Sequence, residues 1–257
     1  MSKSTDSKAA ASKTEVCLIA GASRGIGAAI AERLARPGRR LFLNCRSHGP
    51  EGSEVCDRIS RKGVKAELVA ADISDPQSVS QMMGAVGQPT GRLDIFVHCA
   101  ALPLVPKRVA QLNWEQDVVP QIAVGCRGFL NCLQAGKPLL ADGSRIVVLL
   151  TDALFHTPPV QMGAYLAAKG ALWGLMRAAA KELLPQGIRV NAVSPGMTKT
   201  SLLRNYDERA LEIIAADHPL ERLAEPDEVA SVVEMLLSDA GRYMQGANVI
   251  VNGGAEF

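Results

Sequence analysis

The stretch CLIAGASRGIGAAIAERLA, residues 17–35, decides how the rest of the chain is read. It opens as an apolar run, breaks at Gly21, Gly25 and Gly27, and continues with helical spacing. Glycine permits a tight strand-to-helix turn and lets a ligand approach the backbone closely. The helix that follows presents unpaired N–H groups, which suit phosphate oxygens. A glycine pattern alone is weak. A strand before it and a helix after it are the context that marks a dinucleotide-binding turn.

Working outward, the same alternation continues along the chain. EVCLIAG, RLFLNCR, KAELVAAD, LDIFVHCA, SRIVVLLT, IRVNAVSP and NVIVNGG read as strands. They are rich in Val, Ile and Leu and seldom alternate with polar residues. Strands buried on both faces by helices look like this, which predicts a parallel sheet. GAAIAERLAR, DPQSVSQMMGAV, GAYLAAKGALWGLMRAAAKELL and PDEVASVVEMLLS read as helices between them. The expected fold class is α/β: one doubly wound, Rossmann-type domain over residues 14–257. Residues 1–13, rich in Ser, Lys and Ala, read as a disordered tail. The least regular stretch, residues 197–223, reads as a flap over a site.

Composition excludes several classes. The 257 residues carry a net charge of +2, with 47% hydrophobic and 21% charged residues, so nothing points to nucleic acid. No segment approaches a membrane span, and the N-terminus lacks the apolar run of a signal peptide. A cytoplasmic location is expected. The six cysteines include no CxxC pair and mostly lie in apolar runs, so they read as reduced thiols and not as metal ligands or disulfides.

An NAD site usually has an acid at the end of its second strand, for the ribose hydroxyls. Here that strand ends in Asn44, Cys45, Arg46 and Ser47, and Arg24 adds charge inside the glycine turn. Two arginines suit a 2′-phosphate, so NADP(H) is the expected cofactor. Asp72 ends the third strand, where it could accept from an adenine amine or cap the next helix.

Tyr165 and Lys169 are four residues apart, on one face of the long helix. A nearby ammonium lowers the cost of ionising a tyrosine, which makes the pair a proton-donating unit. Thirteen residues before the tyrosine stands Asp152.

These motifs together resemble the short-chain dehydrogenase/reductase family. The resemblance covers about residues 14–257 and rests on GASRGIG, Tyr165-x-x-x-Lys169, RVNAVSPGMTKT and GANVIVNGG. It implies a seven-stranded parallel sheet, hydride transfer with a nicotinamide, a small-molecule substrate and a homodimer or homotetramer. The small residues of the helix at 164–184 suit close packing against a partner subunit. The family pattern assigns cofactor contacts to Gly21, Ser23, Arg24, Gly25, Ile26 and Gly27 in the turn. It adds Arg46, Ser47, Asp72, Ile73 and Ala100 along the strand ends. Tyr165 and Lys169 follow, then Pro195, Gly196, Thr198 and Thr200.

The departures matter as much. The family has a serine where this chain has Asp152, and an ionised carboxylate only accepts hydrogen bonds and would repel a developing alkoxide. The family's asparagine should fall near Ala123–Val124–Gly125, and Asn-Asn-Ala-Gly after the fourth strand reads His98-Cys99-Ala100-Ala101. The Asp152/Tyr165/Lys169 arrangement resembles the pteridine reductases, which points to a C=N bond. Against a pterin stand Gly25, where that branch has arginine, and Leu102-Pro103-Leu104, where it has an aromatic residue.

Asp152 therefore keeps several readings: a proton relay, a protonated donor, or a structural turn residue. As a separate alternative, Thr151 supplies the hydroxyl if the turn is shifted by one residue. The expected catalytic set is Tyr165, Lys169 and Asp152, with no metal, in a reductase acting on C=O or C=N. Enoyl reduction is a narrower variant. A cofactor-binding protein with little turnover is the alternative. His98 and His156 read as packing or surface residues.

Overall fold

The computed structural model describes residues 14–104, 106–204 and 206–255, so the tail expected at 1–13 lies outside the described residues. Seven strands form one sheet: β1 (Glu15–Ala20), β2 (Arg39–Cys45), β3 (Lys65–Ala70), β4 (Leu93–His98), β5 (Leu140–Leu149), β6 (Arg189–Pro195) and β7 (Asn248–Val251). All neighbours are parallel, in the order β3-β2-β1-β4-β5-β6-β7. The strand order reverses beside β1, which has β2 on one side and β4 on the other. A crevice opens at the carboxyl ends of strands at such a switch point.

The helices α1 (Gly25–Leu34), α2 (Pro50–Ser60), α3 (Pro76–Gly87), α4 (Val119–Ile122), α5 (Gly128–Gly136), α6 (Gly163–Leu183), α7 (Glu208–Asp217) and α8 (Pro226–Leu237) cover both faces. Strand side chains alternate between faces. Val16, Leu18 and Ala20 of β1 join Phe96, Phe129 and Met176 in one core, while Cys17 and Ile19 join Ile30, Val55 and Val233 in the other. Three helical segments lie outside the stretches whose periodicity reads as helix: α2, α7 and the run from Trp114 to Gly136, where π-helical turns at Trp114–Val118 and Ala123–Arg127 flank α4.

The Asp72 reading is corrected in one respect. The N-cap of α3 is Asp75, which accepts from the Gln77 and Ser78 amides at 3.3 and 3.0 Å. Asp72 instead accepts from the amide and hydroxyl of Ser74, at 2.9 and 2.6 Å. The stretch read as an irregular flap contains α7 and is pinned at its base. The Lys199 amide donates to the Ala224 carbonyl and the Ala224 amide to the Met197 carbonyl, at 2.9 and 3.0 Å.

The turn between β1 and α1 tolerates no side chains where its glycines sit. A Cβ on Gly27 would lie 2.0 Å from the Gly21 carbonyl oxygen, and one on Gly21 would lie 2.6 Å from Ala100 Cα. Gly84, midway along α3, has open space around it. Gly27→Ala is therefore expected to lower the unfolding free energy by about 1–3 kcal/mol. Gly84→Ala should leave it unchanged or raise it by up to ~1 kcal/mol. Urea denaturation followed by circular dichroism separates the two, and equal effects would refute the packing argument.

Candidate active site

Tyr165 and Lys169 occupy the first two turns of α6, on its inward face, and both are buried. They reach a cavity of about 340 Å³ at the carboxyl end of the sheet. Its walls are mostly apolar, with Leu104, Met162, Met197, Leu203 and Ile214 prominent. Polar groups converge on it from Thr151, Asp152, Tyr165 and Lys169. The flap closes one side: Leu203 and Leu223 pack with Tyr165, Leu104 and Met162 in a third apolar cluster. Met197, Asp217 and His218, from the stretch read as a flap, also line the cavity, as does Cys99 just after β4.

The Tyr165 hydroxyl is hydrogen-bonded to the Thr151 side chain. Burial pushes its ionisation well above the ordinary tyrosine value; the Thr151 bond opposes this, while Cys99, Asp152 and Tyr206 add to it. The buried hydroxyl thus stays protonated at neutral pH. Asp152 opens a 3-10 turn, Asp152–Leu154, and one of its carboxylate oxygens lies 3.4 Å from where a Cβ on Gly196 would stand. Of the two neighbours, Thr151 meets the tyrosine hydroxyl and Asp152 lies against the loop after β6.

Lys169 donates to the Leu149 carbonyl at the end of β5, at 2.6 Å, and its Nζ is 5.6 Å from the centre of the Tyr165 ring. Burial lowers its pKa to about 8, with Cys99 acting the other way. Cys99 itself is pushed up to about 11 by burial, against the pull of Lys169. It is therefore an inert thiol at neutral pH. All six cysteines are free. Among the described residues no group of three or more His, Cys, Asp or Glu is placed to hold a metal ion, and no helix is long and apolar enough to cross a membrane.

The residues read as cofactor contacts fall along the same edge. Thr200 packs against Gly25, where a Cβ would come within 3.2 Å. Thr200 also lines both the Tyr165 cavity and a second depression over Ser23, Arg24 and Gly25. The two depressions thus adjoin, as a long dinucleotide requires. The first turn of α1 carries no acid and no side-chain cap, so its amides are not already neutralised. Ile26, Pro195, Gly196 and Thr198 line the cavity, and Ala100 backs Gly21. Arg46 and Ser47 are exposed at the end of β2. Arg24 is exposed too, but pairs with Glu51 at 3.2 Å. Ile73 is buried, its side chain lying where a Cβ on Gly128 would come within 2.7 Å.

Comparisons with known proteins give the family and the fold. The family described as "Enoyl-(Acyl carrier protein) reductase" matches residues 21–256. A 3-oxoacyl-(acyl-carrier-protein) reductase FabG of Staphylococcus aureus is 30% identical over 244 residues, covering 94% of this chain and 98% of that protein. A dehydrogenase/reductase from Sinorhizobium meliloti superposes with a TM-score of 0.88 at 29% identity, over 95% of this chain and 96% of that one. A short-chain dehydrogenase from Burkholderia cenocepacia in complex with NADP gives 0.86 at 30% identity, over 95% and 98%.

The depressed Lys169 carries a stability consequence. Between pH 8 and 10.5 the unfolded chain binds this proton and the folded chain does not, so stability rises with pH across that window. Below it, burying the charge costs on the order of 3 kcal/mol. Lys169→Met is therefore expected to be more stable than wild type at pH 7, by ~1–3 kcal/mol after the loss of the Leu149 bond. The gap should close by pH 10.5. Denaturant titrations at the two pH values check this, and equal stability at pH 7 would contradict it.

Proposed function

This chain belongs to the short-chain dehydrogenase/reductase family of oxidoreductases, and from that premise we propose that it is an NADPH-dependent reductase. It delivers hydride to a polarised C=O or C=N bond of a small, largely apolar molecule, with Tyr165 as proton donor. The observation that carries this reading is the burial of Tyr165 at the wall of an apolar cavity that Thr151 also lines, one helical turn from Lys169.

When bound, the nicotinamide supplies the hydride. Gly21, Gly25 and Gly27 would leave room for a pyrophosphate, which the α1 amides would bind. Arg46 and Arg24 would hold a 2′-phosphate, Arg24 giving up its exposed pair with Glu51 to do so. The absence of an acid at the end of β2 and the NADP-bound Burkholderia relative both favour this form of the cofactor.

Thr151 fills the hydroxyl role that position 152 does not. It orients the tyrosine hydroxyl and donates to the tyrosinate left after proton transfer. Lys169 provides the positive charge that makes this proton loss affordable in an apolar site. Asp152, beside Gly196, accepts from an N–H of a nitrogenous substrate. The outward face of α6 carries Ala167, Ala171, Gly174 and Ala178, all exposed, which suits a homo-oligomer built on this helix. Sedimentation at micromolar concentration should give a dimer or tetramer, and a monomer alone would count against it.

The deciding experiment is NADPH oxidation over a dihydropterin, a cyclic imine, a β-keto thioester and an enoyl thioester. Tyr165→Phe is expected to lose at least ~100-fold in kcat while still binding NADPH, and Thr151→Val to lose ~10–100-fold. Turnover of a C=N substrate that fails in Asp152→Ser assigns Asp152 to the substrate nitrogen. Keto turnover that survives Asp152→Ser removes that role. Undiminished turnover by Tyr165→Phe would refute the proton-donor assignment. NADPH binding without turnover on any substrate would favour a cofactor-binding protein.

A further inference from the structure

His218 ends α7, where the flap meets the residues that follow β7. It lines the cavity, yet the reaction outlined above gives it no task. Backbone groups occupy both of its ring nitrogens. Nε2 lies 2.8 Å from the Asn252 carbonyl oxygen, and Nδ1 lies 3.0 Å from the Leu220 amide. A carbonyl only accepts and an amide N–H only donates, so the ring is neutral with its proton on Nε2. A ring committed in this way has no proton to give a substrate. It is a link between two segments, 34 residues apart in the chain.

The backbone on both sides is shaped around this ring. The Glu221 amide donates to the His218 carbonyl at 2.7 Å, and Glu221 adopts φ 51°. A residue with a side chain keeps such a left-handed conformation only where its surroundings hold it there. Across the contact, Gly253 adopts φ 61°, and a Cβ on it would lie 2.7 Å from His218 Cε1 and 2.9 Å from Leu220 Cδ1. Only glycine admits the ring so close. The turn at residues 252–255 is closed by its own bonds: the Ala255 amide donates to the Asn252 carbonyl at 3.2 Å, and the Gly254 amide to Asn252 Oδ1 at 3.1 Å. Ile214, Asp217 and His218 line the cavity from the flap, and Ala255 lines it from this turn. One stretch of wall is thus made of two segments, and the bond from His218 to Asn252 runs from one to the other.

We propose that His218 is a positioning residue for substrate binding: by donating from Nε2 to the Asn252 carbonyl it fastens α7 to the turn after β7, so that the two act as a single cavity wall. Its task is to enclose the substrate and not to move a proton. Tyr165 and Lys169 are held by Thr151 and Leu149, through contacts that do not include it. The link also brings the turn after β7 into substrate recognition. Only the effect on KM rests on the reductase reading. The fastening of the two segments stands apart from it.

The test is NMR and hydrogen exchange on the full chain. Nitrogen shifts of labelled histidine in alkaline buffer should show His218 protonated on Nε2 and bare on Nδ1. In His218→Phe the α7 amides and those of Gly254 and Ala255 should exchange about tenfold faster, and together, because one ordinary hydrogen bond between them is gone. Amides of β1 should keep their rates. The two nitrogens can be told apart by substitution. His218→Gln carries an N–H where Nε2 was and should restore the wild-type rates. His218→Asn carries an acceptor where Nδ1 was, serves only Leu220, and should behave like His218→Phe. For the β-keto thioester or cyclic imine that is turned over, KM should rise about 3–10-fold in His218→Phe and His218→Asn, with kcat within about twofold of wild type. His218→Gln should return KM to its wild-type value. Rescue by Asn and not by Gln would make His218 a local turn residue and overturn the proposal. Faster exchange in α7 alone would do the same, as would a fall in kcat with KM unchanged. A proton on Nδ1 in wild type overturns it whether or not the variants fold. If Tyr165→Phe keeps full turnover, the functional reading fails while the exchange rates still judge His218.

Discussion

The crevice between β1 and β4 exists because β1 pairs with β2 on one side and with β4 on the other, and everything functional is arranged along it. Its floor is backbone on backbone: Gly21 lies against Ala100, with Gly27 packed onto the Gly21 carbonyl. The Gly21 and Ala22 amides both donate to the Asn44 carbonyl, at 3.0 and 2.9 Å, and tie the same turn to β2. Strand pairing, turn conformation and access to the helix amides are thus one constraint. A side chain at either glycine would push β1, β4 and α1 apart together.

On that floor the protein places its polar chemistry where water is scarce. Tyr165, Lys169 and His98 are all buried, and burial is the leading cause of each perturbed ionisation. A hydrogen bond or a charge counts for more in such surroundings than in water. The Thr151 hydroxyl opposes the effect of burial on Tyr165, and the Leu149 carbonyl anchors the Lys169 ammonium. The cost appears as the desolvation of the buried ammonium.

β1, β2, β4 and β6 were legible because burial on both faces leaves an unbroken apolar signature, whereas β3 and β7 are half-buried or exposed along their length. β4 is buried at every residue. The glycine turn and the Tyr165–Lys169 spacing were legible for the same kind of reason, since each is a geometric requirement written in adjacent residues. The segment from Trp114 to Gly136 was not. Its π-helical turns shift the period away from 3.6 residues, and Pro120, Gly125 and Gly128 interrupt the apolar pattern. Counting residues back from Tyr165 singles out Asp152, but the chain rotates just there. Thr151 is still extended, with φ −159° and ψ 143°, while Asp152 begins a 3-10 turn. One residue of rotation directs the threonine to the tyrosine and the carboxylate to Gly196, and no count along the sequence reports a rotation.

The flap links order to chemistry in a way neither shows alone. Leu203 and Leu223, from opposite ends of the stretch that carries α7, pack onto the residues that surround Tyr165. Those contacts help keep water from the tyrosine hydroxyl, so they contribute to the desolvation that holds it protonated. An opened flap would hydrate the hydroxyl and lower the cost of its ionisation. It would also remove the apolar wall that selects the substrate. Substrate enclosure and readiness to give up a proton are therefore coupled through the same few leucine contacts, and a looser flap changes both at once.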